Sequence, residues 1–149
     1  MNSVLDRYIE DDISDIVILT PGVEEYSAIA EYIEFNFESG FWEYVYKDLI
    51  IKFTTCKKFK GLEAQAIIVI DLNKDSFDGK NGMQFYVGTS RARNRLELIC
   101  MLSEEDFFTV AKTVSPNSPN TSNTLRMKMI FSNAFGINLH DSSTEFATV

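Results

Sequence analysis

The sequence predicts an α/β fold: a mostly parallel sheet of four or five strands flanked by helices. Three observations predict it. Short apolar, β-branched runs recur at residues 15–20, 49–55, 67–72 and 96–102, each too short for a helix and bounded by turn-forming residues. Between the first two lies a stretch, 23–37, whose apolar residues follow helical spacing, and between the last two a second stretch, 83–94, reads as a helix. Strands that alternate with helices assemble as a parallel sheet, because parallel neighbours need a crossover connection. Ligands in such sheets bind at the carboxyl ends of the strands, where Thr55 falls.

The elements follow in order. Residues 3–10 read as a short helix, with Ser3 as its cap and Asp6 completing the cap pattern. Asp15-Ile16-Val17-Ile18-Leu19-Thr20, closed by Pro21-Gly22, is a buried strand and a turn. Val23 to Phe37 places Tyr26, Ile29, Ala30, Ile33 and Phe37 at helical spacing, so the chain is expected to open helix, strand, helix. The aromatic and β-branched stretch from Phe41 to Thr55, interrupted by Lys47-Asp48, reads as strands at 42–46 and 49–55. Residues 67–72 form the next strand, and 73–82 a polar loop with two glycines. A helix is expected over 83–94, a strand over 96–102 and a last short helix around 104–111. Residues 113–124 are rich in Ser, Asn, Thr and Pro and read as a linker. The period of Leu125–Leu139 does not choose between strand and helix, and residues 140–149 are expected to fray. The domain division is therefore 1–112, a linker over 113–124, and an extension over 125–149.

Composition narrows the function. The length of 149 residues suits one domain, and 45% hydrophobic residues with twelve Phe suit a packed core. No apolar run reaches the roughly eighteen residues that span a bilayer, and no basic-then-apolar leader opens the chain, so a cytoplasmic location without membrane association is expected. Two cysteines, Cys56 and Cys100, give neither a disulfide framework nor metal-ligand spacing. No metal site is expected, and His140 lies in the tail.

The net charge of −8 argues against a chain drawn onto nucleic acid by its overall field. Its distribution leaves local sites open. Residues 1–48 carry twelve acids against Arg7 and Lys47, whereas six of the fourteen Lys and Arg sit in two clusters, Lys57/Lys58/Lys60 and Arg91/Arg93/Arg95. The first cluster follows a strand end and meets Gly61, so exposed backbone N–H groups and lysines together suit a phosphate, or form a solvated basic turn. Glu63 suits a ribose hydroxyl, or a helix start where the dipole favours an acid. If 83–94 is helical, Arg91 and Arg95 share a face and Arg93 points away. Trp42, Phe41 and Tyr44 suit base stacking or a strand's core face.

Two motifs carry a resemblance. Lys60-Gly61-Leu62-Glu63, preceded by Thr54-Thr55-Cys56-Lys57-Lys58, resembles motif V of the second RecA-like domain of UvrD/Rep-like superfamily 1 helicases. Tyr86-Val87-Gly88-Thr89-Ser90-Arg91-Ala92 resembles motif VI of the same domain. The resemblance covers about residues 3–102. It implies a RecA-like half that contributes to ATP through Lys60, Gly61, Glu63 and Arg91, with Arg91 as the arginine finger. It implies that Thr55, Lys57 and Lys58 lie along single-stranded DNA, with RNA possible in its place. The family often has His where Lys57 stands and a small residue at Lys58; lysine keeps a phosphate donor but loses imidazole stacking. The chain has no G-x-x-x-x-G-K-(S/T) and no apolar strand ending in an acid pair; Asp71 is a lone acid. ATP with magnesium is therefore expected only together with an N-terminal RecA-like domain of the same helicase, and none in this chain by itself. The alternative is a catalytically silent module on the same scaffold that binds nucleic acid or protein, using the acidic first third and residues 125–139.

Overall fold

A computed structural model describes residues 1–77, 90–100 and 102–114. Helix α1 (Asn2–Glu10) is followed by strands β1 (Ile16–Thr20), β2 (Ile33–Asn36), β3 (Phe41–Tyr46), β4 (Leu49–Thr55), β5 (Ala64–Leu72) and β6 (Ala92–Cys100), then helix α2 (Glu104–Val114). The six strands form one mixed sheet in the order β2-β3-β4-β1-β5-β6. β4, β1, β5 and β6 run parallel, and β2 and β3 add an antiparallel edge. Among the described residues the fold is α/β with a mostly parallel sheet, one strand larger than expected and with few helices.

The parallel half is covered on both faces. Val17 and Leu19 of β1 and Ile67 and Val69 of β5 face one core, closed by α2 through Val110 and the half-buried Phe108. Ile16, Ile18, Ile68 and Ile70 face the other, closed by α1 through Val4, Leu5 and Tyr8. Burial on both faces explains why β1 and β5 are continuous apolar runs. Each such side chain contributes about 1.5–3 kcal/mol when fully buried. The antiparallel half is one-sided: Ile51 and Phe53 are buried, while Ile50 and Lys52, which alternate with them, are exposed.

Several expectations are corrected. α1 begins at Asn2, with Met1 as its cap residue and no side-chain cap bond, so Ser3 lies inside the helix. Residues 23–37 are not a helix: two single 3-10 turns, Glu24–Tyr26 and Ala30–Tyr32, lead into β2. Antiparallel pairing of Ile33–Asn36 with β3 overrides the helical spacing, and the supposed anchors Tyr26 and Phe37 are 87% and 90% exposed. The polar loop after β5 contains a 3-10 turn, Lys74–Phe77. Of the expected helix at 83–94, residues 83–89 lie outside the described part, and Ala92, Arg93 and Asn94 belong to β6. α2 runs to Val114, two residues into the stretch read as linker. The rest of that stretch and residues 125–149 lie outside the described part.

Candidate functional site

The residues singled out fall at two opposite edges of the sheet. At the carboxyl edge, β4 ends on Thr55, in register with Thr20 at the end of β1. The backbone then turns at once. Cys56 N–H donates to the Thr20 carbonyl at 2.9 Å, Thr55 Oγ1 accepts the Lys58 N–H at 3.1 Å, and the Thr55 carbonyl accepts the Phe59 N–H at 3.1 Å. Thr55 is thus the cap of the turn that carries Lys57 and Lys58. Cys56 and Phe59 anchor that turn in the α2-side core. Burial pushes the Cys56 thiol up to about 12, so the residue between Thr55 and Lys57 packs rather than reacts.

Lys57 is exposed. Lys58 is not equivalent to it: its Nζ pairs with Glu24 at 2.8 Å, and the Glu24 side chain is only 6% exposed. A carboxylate so enclosed holds its cation more firmly than a surface partner would. Of Lys57 and Lys58, Lys57 is therefore the one open to a phosphate without first breaking an ion pair.

The turn next crosses to the amino edge. Val69 is level with Leu19, and Ala64 lies five residues earlier. At about 3.3 Å per residue the two edges are on the order of 20 Å apart. Lys60, Gly61 and Glu63 lie on this passage and are exposed. Gly61 has φ +88°, a left-handed conformation that glycine adopts without cost. Glu63 directly precedes strand β5, so no helix starts there and the dipole reading of this acid does not apply.

Arg91 sits in a turn immediately before β6, and the Ala64 N–H donates to its carbonyl at 3.3 Å. The tetrad's end and the second motif are thereby brought side by side, although 28 positions of sequence separate Glu63 from Arg91. Arg91 is half-buried, and its Nε is buried with no hydrogen-bond partner among the described residues. Tyr86, Val87, Gly88 and Thr89 of the same motif lie outside the described part. Ser90 is exposed.

The three arginines do not divide as a helix would divide them. Arg93 pairs with Asp15 at 2.7 Å and Arg95 with Asp11 at 3.3 Å, both on the segment joining α1 to β1. A register shift between Ala64–Ala92 and Ala66–Arg95 marks a bulge at the start of β6. Arg93 and Arg95 hold structure together here, and Arg91 stands apart from both.

Asp15 was not singled out by sequence, yet it organises the edge. Its Oδ2 accepts the Gln65 N–H at 3.0 Å as well as the Arg93 guanidinium, and its carbonyl accepts the Ala66 N–H at 3.0 Å. Asp71 was read as a lone acid. It is a clasp: Ser27 Oγ and Ala28 N–H donate to its two oxygens at 2.7 and 3.0 Å. Trp42 and Tyr44 pack against the α1-side core, and Phe41 lies on the opposite face with Lys52 Nζ 5.2 Å from its ring. Among the described residues, no group of three or more His, Cys, Asp or Glu has a geometry that would hold a metal ion. No helix among them is long and apolar enough to cross a membrane.

No protein-family model matches the chain. No curated protein matches it at a significant level.

Proposed function

We propose that the chain is the second, RecA-like half of an ATP-dependent helicase motor, which acts on ATP only against a separate phosphate-binding domain. The observation that carries this reading is the pairing of Ala64 with Arg91 across β5 and β6. It sets an exposed carboxylate, Glu63, beside an arginine whose Nε is buried and has no partner among the described residues. A carboxylate suits a ribose hydroxyl, and an arginine suits the oxygens of a terminal phosphate. These residues fit magnesium ATP, which supplies the phosphoryl group and the metal charge. Arg91 stabilises negative charge on the transferring group, Glu63 orients the ribose, and Lys60 with Gly61 shapes the turn between them. The phosphate loop and magnesium ligands come from the other domain, since the sequence contains neither pattern.

At the opposite edge, Thr55 and Lys57 contact the backbone of single-stranded DNA, with Lys58 joining only if it leaves Glu24. The passage from Thr55 to Glu63 links the two edges through one anchored turn. Closure of a nucleotide cleft at one edge is then felt at the other as a shift of the strand-contacting residues.

The experiment joins the chain to a phosphate-loop domain of the same family. ATP turnover that needs both parts and rises with single-stranded DNA supports the reading. The second reading, a silent binding module, draws on the Lys58–Glu24 pair, which removes one cation from the strand-contacting edge. It expects no turnover in any pairing.

A further inference from the structure

We propose that the cleft at the carboxyl edge between β1 and β5 is a nucleobase subsite, separate from the amino edge where Glu63 and Arg91 meet. The strand-borne form of this proposal rests on the reading above, in which a nucleic-acid strand follows Thr55 and Lys57.

The cleft holds about 320 Å³, within the range of small-ligand sites. It lies where the chain changes sides. β1 leaves the sheet over the α1 face, where Ile29 and Ile33 are buried, whereas β5 leaves over the α2 face, where Phe77 is buried. Crevices at such switch points are where open α/β sheets bind ligands.

Its lining selects the ligand. Tyr26, at the mouth, is 87% exposed and offers a bare ring face. Asp71 and Asp75 make one wall acidic, so a phosphate is repelled; each Asp71 oxygen, bonded once to Ser27 or Ala28, keeps a lone pair for an N–H donor, whereas the Asn73 Oδ1 is occupied by Asp75 and Ser76. Thr20, also lining the cleft, is 1% exposed; its hydroxyl oxygen accepts the Gly22 N–H at 3.3 Å, and its own proton has no acceptor among the described residues. A ligand that satisfies this wall carries an acceptor beside its donors and has a flat face. A guanidinium or ammonium group has no acceptor. A base with an exocyclic amine has all three features.

The place is right for a base whose phosphate stays outside. Thr20 is level with Thr55 on the neighbouring strand, and Cys56 bonds to the Thr20 carbonyl. Thr55, two residues before Lys57, thus lies one strand away from the Thr20 wall of the cleft, about 4.8 Å.

The test measures binding by the full chain at low salt to a short single-stranded oligonucleotide, to the same oligonucleotide made abasic, to free adenosine and to N-acetylargininamide. The variants are Tyr26→Ala, Asp75→Asn and Lys57→Ala; the exposure of Tyr26 makes its replacement harmless to the core, and melting curves check each. The base-bearing strand is expected to bind more tightly than the abasic one. Tyr26→Ala should weaken the former on the order of tenfold and leave the latter unchanged. Lys57→Ala should weaken both. Equal binding of the two strands, or an equal effect of Tyr26→Ala on both, overturns the proposal. If Lys57→Ala changes neither strand, the strand-contact reading has failed and adenosine decides. Adenosine binding that is lost in Tyr26→Ala and Asp75→Asn keeps the subsite, with a free nucleoside or nucleotide as its source; its absence overturns it. Tighter Tyr26-dependent binding of N-acetylargininamide than of adenosine also overturns it.

Discussion

Ala64 and Arg91 are joined by a backbone hydrogen bond of 3.3 Å between the amino ends of β5 and β6. This contact decides how the chain is understood, because it converts two separate sequence motifs into one edge. Glu63 and Arg91 each directly precede a strand, β5 and β6, and the bond between these adjacent strand ends fixes the backbone from which the two side chains project. Asp15 ties the same two strands together through Gln65 and Arg93. The edge is braced from both sides.

Gly61 is the first testable position. Its φ of +88° is left-handed, and an added Cβ meets nothing within 4 Å. The cost of Gly61→Ala is therefore conformational, about 1–2 kcal/mol, and a thermal melt should show a fall of roughly 3–6 °C. Gly61→Asn should cost less, since Asn tolerates this region. Equal melting of wild type and Gly61→Ala would mean that the turn has another conformation.

The clamp between α1 and β6 gives the second. Arg7 donates to Glu97 Oε1 at 3.2 Å, and the Glu97 side chain is fully buried. Arg7→Met should destabilise by about 1.5–3 kcal/mol, the range for a hydrogen bond to a charged group. Adding Glu97→Gln should recover part of that loss, because a buried charge that has lost the Arg7 guanidinium is removed. Chemical denaturation of the two single variants and the double variant measures the coupling.

The third prediction concerns pH. Asp6 is held below the ordinary aspartate value of 3.8, first by its hydrogen bond from Lys47 and then by that from Tyr46. Lys47 is held above its ordinary 10.5 by the same contact with Asp6. A depressed acid contributes stability above its unfolded value and loses it as pH falls through the native one. A raised base contributes below its unfolded value and loses it as pH rises through the native one. The Asp6–Lys47 contribution is thus present between about pH 4 and pH 10 and lost outside. Melting of wild type against Asp6→Asn across pH should show a gap that closes at both ends. A gap independent of pH would contradict the assignment.

Much of the sheet was legible because β1, β4 and β5 consist of β-branched runs that only a doubly buried or half-buried strand explains. The stretch 23–37 was not. Ile29 and Ile33 do face the core, so two of its five apolar positions fit a helix, but β2 exists through its pairing with β3, which helical spacing does not report. The start of β6 was hidden for a related reason. Arginines at 91, 93 and 95 have the same spacing in a helix and in a strand, and the partners that distinguish the two, Asp11 and Asp15, lie about eighty positions away. Asp71 and Glu24 were invisible as structural acids because their partners, Ser27 and Lys58, are distant in sequence. The site residues themselves were named from motifs. That they divide between two edges of one sheet required the fold.

The central claim is that Arg91, and not its neighbours, acts on the nucleotide. Arg93 is engaged with Asp15 and Arg95 with Asp11, whereas the Arg91 Nε has no partner among the described residues. The most direct measurement compares ATP turnover by Arg91→Ala, Arg91→Lys and Arg93→Ala in the chain joined to its phosphate-loop domain, at saturating ATP and single-stranded DNA. Arg91→Ala should lower kcat on the order of 10³-fold with little change in ATP affinity. Arg91→Lys should recover little, because a point charge does not reproduce the planar fork. Arg93→Ala should cost stability and only a small part of kcat. Equal losses at positions 91 and 93, or a larger one at 93, in variants that remain folded at the assay temperature, would contradict the account.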